Sequence, residues 1–263
     1  MASSAQFTCR VSGHPKSART LARAGLVLVL LPWVLAARTP QSRGESSPQN
    51  PALPAAARHY EKGEYSRTVT LLEKTLSRRL AGLEKQEIYF LLASAQERSG
   101  HLEEAVANFK KVAEGEILAD YALFHGATIL AQLGRPEQAL QWLDRLLDRF
   151  PGSILVGETY ALKANQMEQL GNFPEALKTW EQMERCCAEP SLLPQSFFHQ
   201  AVLLEKENRP AQAVNFYRQL SVRFPNRPEG AQAEKRLEEL AREDPPPWTR
   251  FSAQDLWQRA LSR

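Results

Sequence analysis

The chain has 263 residues, with 33 basic and 30 acidic side chains and a formal net charge of +3. Residues 1–36 hold four of the basic residues and no acid, so the remainder carries 29 basic against 30 acidic groups and is close to neutral. That balance excludes nucleic-acid binding through a clustered cationic face and membrane-surface binding through a polybasic patch.

Arg10, Lys16, Arg19 and Arg23 precede an apolar run of fourteen residues, 24–37, that ends in small side chains. The order basic, apolar, small reads as a secretory signal over 1–36, with Val34 and Ala36 forming a small-x-small cleavage site. Fourteen residues fall short of the ~20 that a membrane-spanning helix needs, so no stable span is expected once the signal is removed. No cysteine follows the cleavage region, so lipid attachment there is not indicated. The chain is therefore expected to be exported, to a periplasm, and to be membrane-tethered only if the signal stays uncleaved. Residues 37–51, rich in Ser, Pro and polar groups, read as a disordered linker.

From residue 52 a repeat sets in. Gly63, Gly100, Gly134, Gly171 and Asn208 are anchors spaced 37, 34, 37 and 37 residues apart. Seven residues before each stands an alanine: Ala56, Ala93, Ala127, Ala164 and Ala201. Five residues after each comes Thr68, Ala105, Ala139, Ala176 or Ala213, and four further on a large apolar group, Leu72, Phe109, Leu143, Trp180 or Tyr217. A period in this range marks a stack of two-helix units. Small residues let two helices approach closely, and the bulky neighbour one turn later fills the wedge between them. The spacing predicts helix pairs at 52–62 with 65–79, 85–99 with 102–113, 117–133 with 136–149, 153–170 with 173–186 and 192–207 with 210–223. Pro136, Pro174 and Pro210 sit in first turns, where a missing amide hydrogen is tolerated. A further helix, about 228–242, is polar on one side and carries Leu237 and Leu240 on the other, as expected of an end cap.

In these residues the chain resembles the tetratricopeptide repeat family. Pro151 and Pro225, each seventeen residues after an anchor, match that family's repeat-ending proline. The expected fold is all-α, a right-handed α-solenoid of about five two-helix repeats over 52–243 with a C-terminal capping helix. The resemblance further implies a concave face lined by first helices, with the residues three, six and ten before each anchor pointing inward. These are Glu97, Ser94 and Phe90; Ala131, Thr128 and Phe124; Glu168, Asn165 and Ala161; and Glu205, Val202 and Phe198. Of these, Phe90, Glu97, Phe124, Thr128, Asn165, Glu168, Phe198 and Glu205 are the candidate protein-binding residues, with the alternative that Phe90, Phe124 and Phe198 are packed between neighbouring helices. An aromatic floor with an acidic and amide rim suits a basic or polar extended peptide.

Residues 244–263 form a Pro-rich turn, Pro245 to Pro247, and then a terminal amphipathic helix carrying Leu256, Trp257, Ala260 and Leu261, opened by a capping-box-like Ser252–Asp255. An apolar stripe with a tryptophan calls for something to dock against. Cys186 and Cys187 are adjacent. Their chemistry is open between a strained vicinal disulfide, a soft-metal site completed from outside, and two small side chains at a helix end. No C-x-x-C pair, histidine cluster or H-E-x-x-H run is present, so no cofactor and no structural or catalytic metal is expected. His59, His101, His125 and His199 are expected at helix surfaces or turns, with His125 a filler between helices.

Residues 117–180 also resemble the helical repeat region that precedes the catalytic domain of soluble lytic murein transglycosylases. Leu118-Ala119-Asp120-Tyr121-Ala122-Leu123 and Arg149-Phe150-Pro151-Gly152-Ser153 carry that likeness, and the Phe-Pro-x-Ser junction also resembles repeats of bacterial envelope proteins. The resemblance implies an envelope location and peptidoglycan enzymes among the partners. The Gly-Leu-Met-Gln segment of that family's lysozyme-like catalytic domain does not occur in this sequence, and a Glu-Ser pair occurs only at Glu45-Ser46, in the linker. The expected function is a non-catalytic scaffold for protein partners, with the arm of such an enzyme as the alternative.

Overall fold

The computed structural model describes residues 51–77, 80, 82–187, 190–243, 257, 258, 260 and 261. The expected signal (1–36), nearly all of the linker (37–51) and most of the terminal segment (244–263) lie outside the described residues. Within them the chain is helical, and no strand occurs. The helices fall into two compact units that divide between Arg135 and Pro136. The first unit contains α1 (Ala52–Glu61), α2 (Tyr65–Leu76), α3 (Gly82–Arg98), α4 (Leu102–Ala113) and α5 (Ala119–Gln132). The second contains α6 (Pro136–Arg149), α7 (Val156–Gln169), α8 (Phe173–Cys187), α9 (Leu193–Lys206), α10 (Pro210–Arg223) and α11 (Pro228–Glu243). Within each unit a helix packs on its neighbours one or two along the chain. None of the described helices is long and apolar enough to cross a membrane.

The anchors explain the turns. Gly63, Gly100, Gly134 and Gly171 have φ between 69° and 84°, and Asn208 has φ 58°, the left-handed region where a helix can stop without a Cβ clash. The residue after each anchor reaches back with its amide to a carbonyl five residues earlier: His101 to Gln96, Asn172 to Met167 and Arg209 to Leu204, all at 2.8–2.9 Å. The last carbonyls of the first helix are thus satisfied and the chain is aimed into the second.

The small-then-large register is the core. All five alanines before the anchors are fully buried, as are Thr68, Ala105, Ala139, Ala176, Ala213 and the bulky residues Leu72, Phe109, Leu143 and Trp180, while Tyr217 is 1% exposed. Thr68, the one hydroxyl in the small position, uses it to bond the carbonyls of Ala56 and Glu64.

Three helix starts lie two or three residues from the spacing-based expectation, and α2 ends at Leu76 rather than 79. Helix α3 begins at Gly82 rather than 85, with Glu84 in its first turn, where a carboxylate favours the positive end of the helix dipole. Leu118 adopts a left-handed backbone, φ 60°, and delays α5 to Ala119. Helix α7 waits until Val156 because Pro151–Leu155 forms a turn closed by the Ser153 amide on the Phe150 carbonyl and by the Leu155 amide on Ser153 Oγ.

Candidate functional site

The expected inner-face residues divide between the two units. In the first, Phe90 is 7% exposed and belongs to the core, edge-on to Phe109 at 5.6 Å between ring centres. Of the two expected places, Phe90 takes the packed one, against the aromatic at the bulky site of α4. Ser94 is fully buried and returns its hydroxyl to the Phe90 carbonyl. Phe124 and Thr128 are half-buried, and Thr128 donates to the Phe124 carbonyl at 2.9 Å. Glu97 faces His125, at 3.6 Å from its Nδ1.

In the second unit Ala161 is buried, Asn165 and Val202 are half-buried, and Phe198 packs edge-on to Tyr217 at 6.3 Å. Glu168 accepts a hydrogen bond from the buried Trp180 indole at 2.9 Å and meets His199 Nδ1 at 2.9 Å. Glu205 accepts from the Tyr217 hydroxyl at 3.3 Å and from Arg236 Nε at 3.0 Å. The Tyr217 hydroxyl is held well above the ordinary phenol range by burial and then by the neighbouring Glu205 charge. The Arg236 guanidinium is pushed up by hydrogen bonds to Glu239 and Glu205.

These contacts share one register that the sequence reading missed. An acid three residues before an anchor bonds the bulky aromatic of its own repeat in two cases, Glu168 with Trp180 and Glu205 with Tyr217, and Glu97 holds the same place in the second repeat. Each of the three acids meets a basic side chain nine residues before the next anchor position (His125, His199, Arg236). His125 stacks on Phe109 at 5.7 Å, between helices as expected, and His199 stacks on Trp180 at 5.0 Å. The signal was present: Glu at one register position with His or Arg at another. It needed knowledge of which faces meet across the repeat boundary. Each of these acids meets a basic side chain of its own unit, so the expected acidic rim is engaged from within.

Similar clasps tie the turn edges. Arg98 stacks over Tyr65 and donates to its hydroxyl, Lys206 lies over Phe173, and Arg135 grips Glu103 with both guanidinium nitrogens. Among the described residues no group of three or more His, Cys, Asp or Glu side chains is placed to hold a metal ion.

A repeated helix hairpin, turned by a left-handed anchor and packed alanine against bulky residue, is the arrangement of tetratricopeptide-type repeats. Two tetratricopeptide repeat family models match parts of the chain, one over residues 90–154 and the other over 195–227. The crystal structure of YrrB, described as a TPR protein with an unusual peptide-binding site, superposes with TM-score 0.57 at 16% identity over 71% of this chain and 92% of that one. Two crystal structures of MamA give TM-scores of 0.54 and 0.56 at 12% identity, covering 70% and 72% of this chain and 96% and 92% of theirs. At these identities the likeness is one of fold. A comparison with curated protein sequences gives no match.

Proposed function

We propose that the chain is a non-catalytic scaffold of the cell envelope, exported to the periplasm, that binds a protein or peptide partner through the first-helix faces of its repeats. The observation that carries this reading is a contrast in burial. The small-then-large register is sealed, whereas Phe124 and Thr128 in the first unit and Asn165 and Phe198 in the second stay half-exposed on the first helices. Polar and aromatic groups left partly open on a rigid frame suit an extended peptide, with side-chain amides for its backbone and rings for its apolar groups. The peptide-binding site named for YrrB is consistent with such use of the fold. The export expectation rests on the basic, apolar, small order of residues 1–36.

The link to peptidoglycan rests on the resemblance of residues 117–180 to the arm of soluble lytic murein transglycosylases. That likeness favours a second reading, in which these repeats serve as the arm of such an enzyme. Incubating purified sacculi with this chain tests the absence of catalysis: no soluble muropeptides are expected, and their release would overturn it. For the binding reading, crosslinked cells yield a partner with the parent chain and lose it with Asn165→Ala combined with Phe198→Ala. Undiminished recovery with a correctly folded double variant would remove the inner face as the site.

A further inference from the structure

The inner face of the second unit runs over α7, α9 and α11, the last of which continues the first-helix register. Its charged side chains are met from within the unit. Glu168 lies against His199 at 2.9 Å, Glu205 against Arg236 Nε at 3.0 Å, and Glu239 against a second nitrogen of Arg236 at 3.0 Å. Lys235 reaches Glu239 at 4.0 Å, and Lys206 lies over the Phe173 ring at 4.6 Å. The side chains of Glu168 and Glu205 are only 14% and 21% exposed. A cation brought by a ligand would have to displace His199 or Arg236 from them and give up its own water to do so.

What the face leaves open is uncharged. Asn165 and Gln169 on α7, Gln195 on α9 and Gln232 on α11 make no side-chain hydrogen bond among the described residues, and none of the four is buried. Gln195 and Gln232 lie one repeat period apart and so hold the same place on α9 and α11. On α9, Gln195, Phe198 and Val202 fall at i, i+3 and i+7, which is one side of a helix, and all three are half-buried. A carboxamide presents a donor and an acceptor together, the complement of the carbonyl and amide of a peptide unit. Such groups bond a main chain whatever side chains it carries, while Phe198 and Val202 offer a surface for an apolar one.

We infer that the partner of this face is an extended, uncharged and partly apolar segment. Its main chain bonds Asn165, Gln195 and Gln232, and an apolar side chain lies on Phe198 and Val202. This rests on the peptide-binding reading above, and it narrows the basic or polar segment expected from the sequence to an uncharged one. With no charge pair formed across the interface, the affinity is nearly independent of salt.

The test is selection of phage-displayed random peptides on the full chain, with bound phage recovered at about 0.05 M and at about 0.5 M salt, a range over which exposed charge pairs become screened. Enriched peptides are expected to be poor in Lys, Arg, Asp and Glu and to be recovered equally at both salts. Recovery should fall roughly tenfold or more in Asn165→Ala combined with Gln195→Ala, with the far-UV helical signal unchanged. Peptides rich in Lys or Arg, or lost at the higher salt, overturn the uncharged partner, yet they leave the inner face as the site if that double variant releases them. Uncharged peptides that bind both this variant and Asn165→Ala with Phe198→Ala undiminished overturn the inner face itself. Absence of any enrichment on the parent chain overturns the inference that such a segment suffices for binding, and the crosslinking experiment then judges the inner face separately.

Discussion

Asn208 does at the fifth anchor what glycine does at the other four, and it does so with a Cβ in the left-handed region. Its side chain is exposed, so nothing in the core depends on it. Asn208→Gly is therefore expected to stabilise the chain by about 0.5 kcal/mol, the part of the left-handed penalty that asparagine does not avoid. The measurement is a urea titration: the midpoint should rise with no change in slope. A lower midpoint would mean that the asparagine side chain makes a contribution larger than its backbone cost. Gly63, Gly100, Gly134 and Gly171 are the converse case, because any side chain there meets the same backbone restriction regardless of the open space around it.

At the scale of the helix, the triad of Glu168, Trp180 and His199 joins three successive elements, α7, α8 and α9. Glu168→Gln and His199→Gln, singly and together, should show a coupling of about 1 kcal/mol, because partners in one hydrogen-bonded network are not additive. Additive losses in the unfolding free energy would mean that the two side chains merely sit near each other. The helix pairs themselves were legible in the sequence, since the interval from Ala164 to Ala176 and the bulk of Trp180 follow from packing alone. The pairing of Glu168 with His199 was not. It connects residues 31 apart, and only the packing of α9 on α7 and α8 tells that those two positions meet. The same ignorance left Phe90 open between the inner face and the core; its burial goes with the ring of Phe109 beside it. The start of α7 at Val156 was hidden for a local reason, the Ser153-closed turn after Pro151.

Taken as a whole, the described chain buries few ionisable groups, but burial is the main cause that pushes up the hydroxyl of Tyr60 in the first unit and of Tyr160 and Tyr217 in the second. A phenol whose folded pKa exceeds its unfolded value binds its proton more tightly in the native state. The stability it confers is complete below the unfolded value, about 10, and declines as pH rises beyond it. The melting temperature should accordingly drop between about pH 10 and 11, and Tyr217→Phe should flatten that fall while losing only the bond to Glu205. A melting temperature that stays level across this range would show that none of these hydroxyls is as shielded as the packing indicates.

The acid-to-base clasps give each unit a fixed order. Where the first repeat has Tyr60 in the acid's place, the second has Leu91 in the base's, and the two share one apolar cluster. Shuffling the repeats would set a carboxylate opposite leucine or an imidazole opposite tyrosine, although every hairpin would keep its own small and bulky residues. Succession along the chain is thus written in side chains that contribute nothing to the shape of any single hairpin, and a permuted array would fold unit by unit yet join badly at its seams.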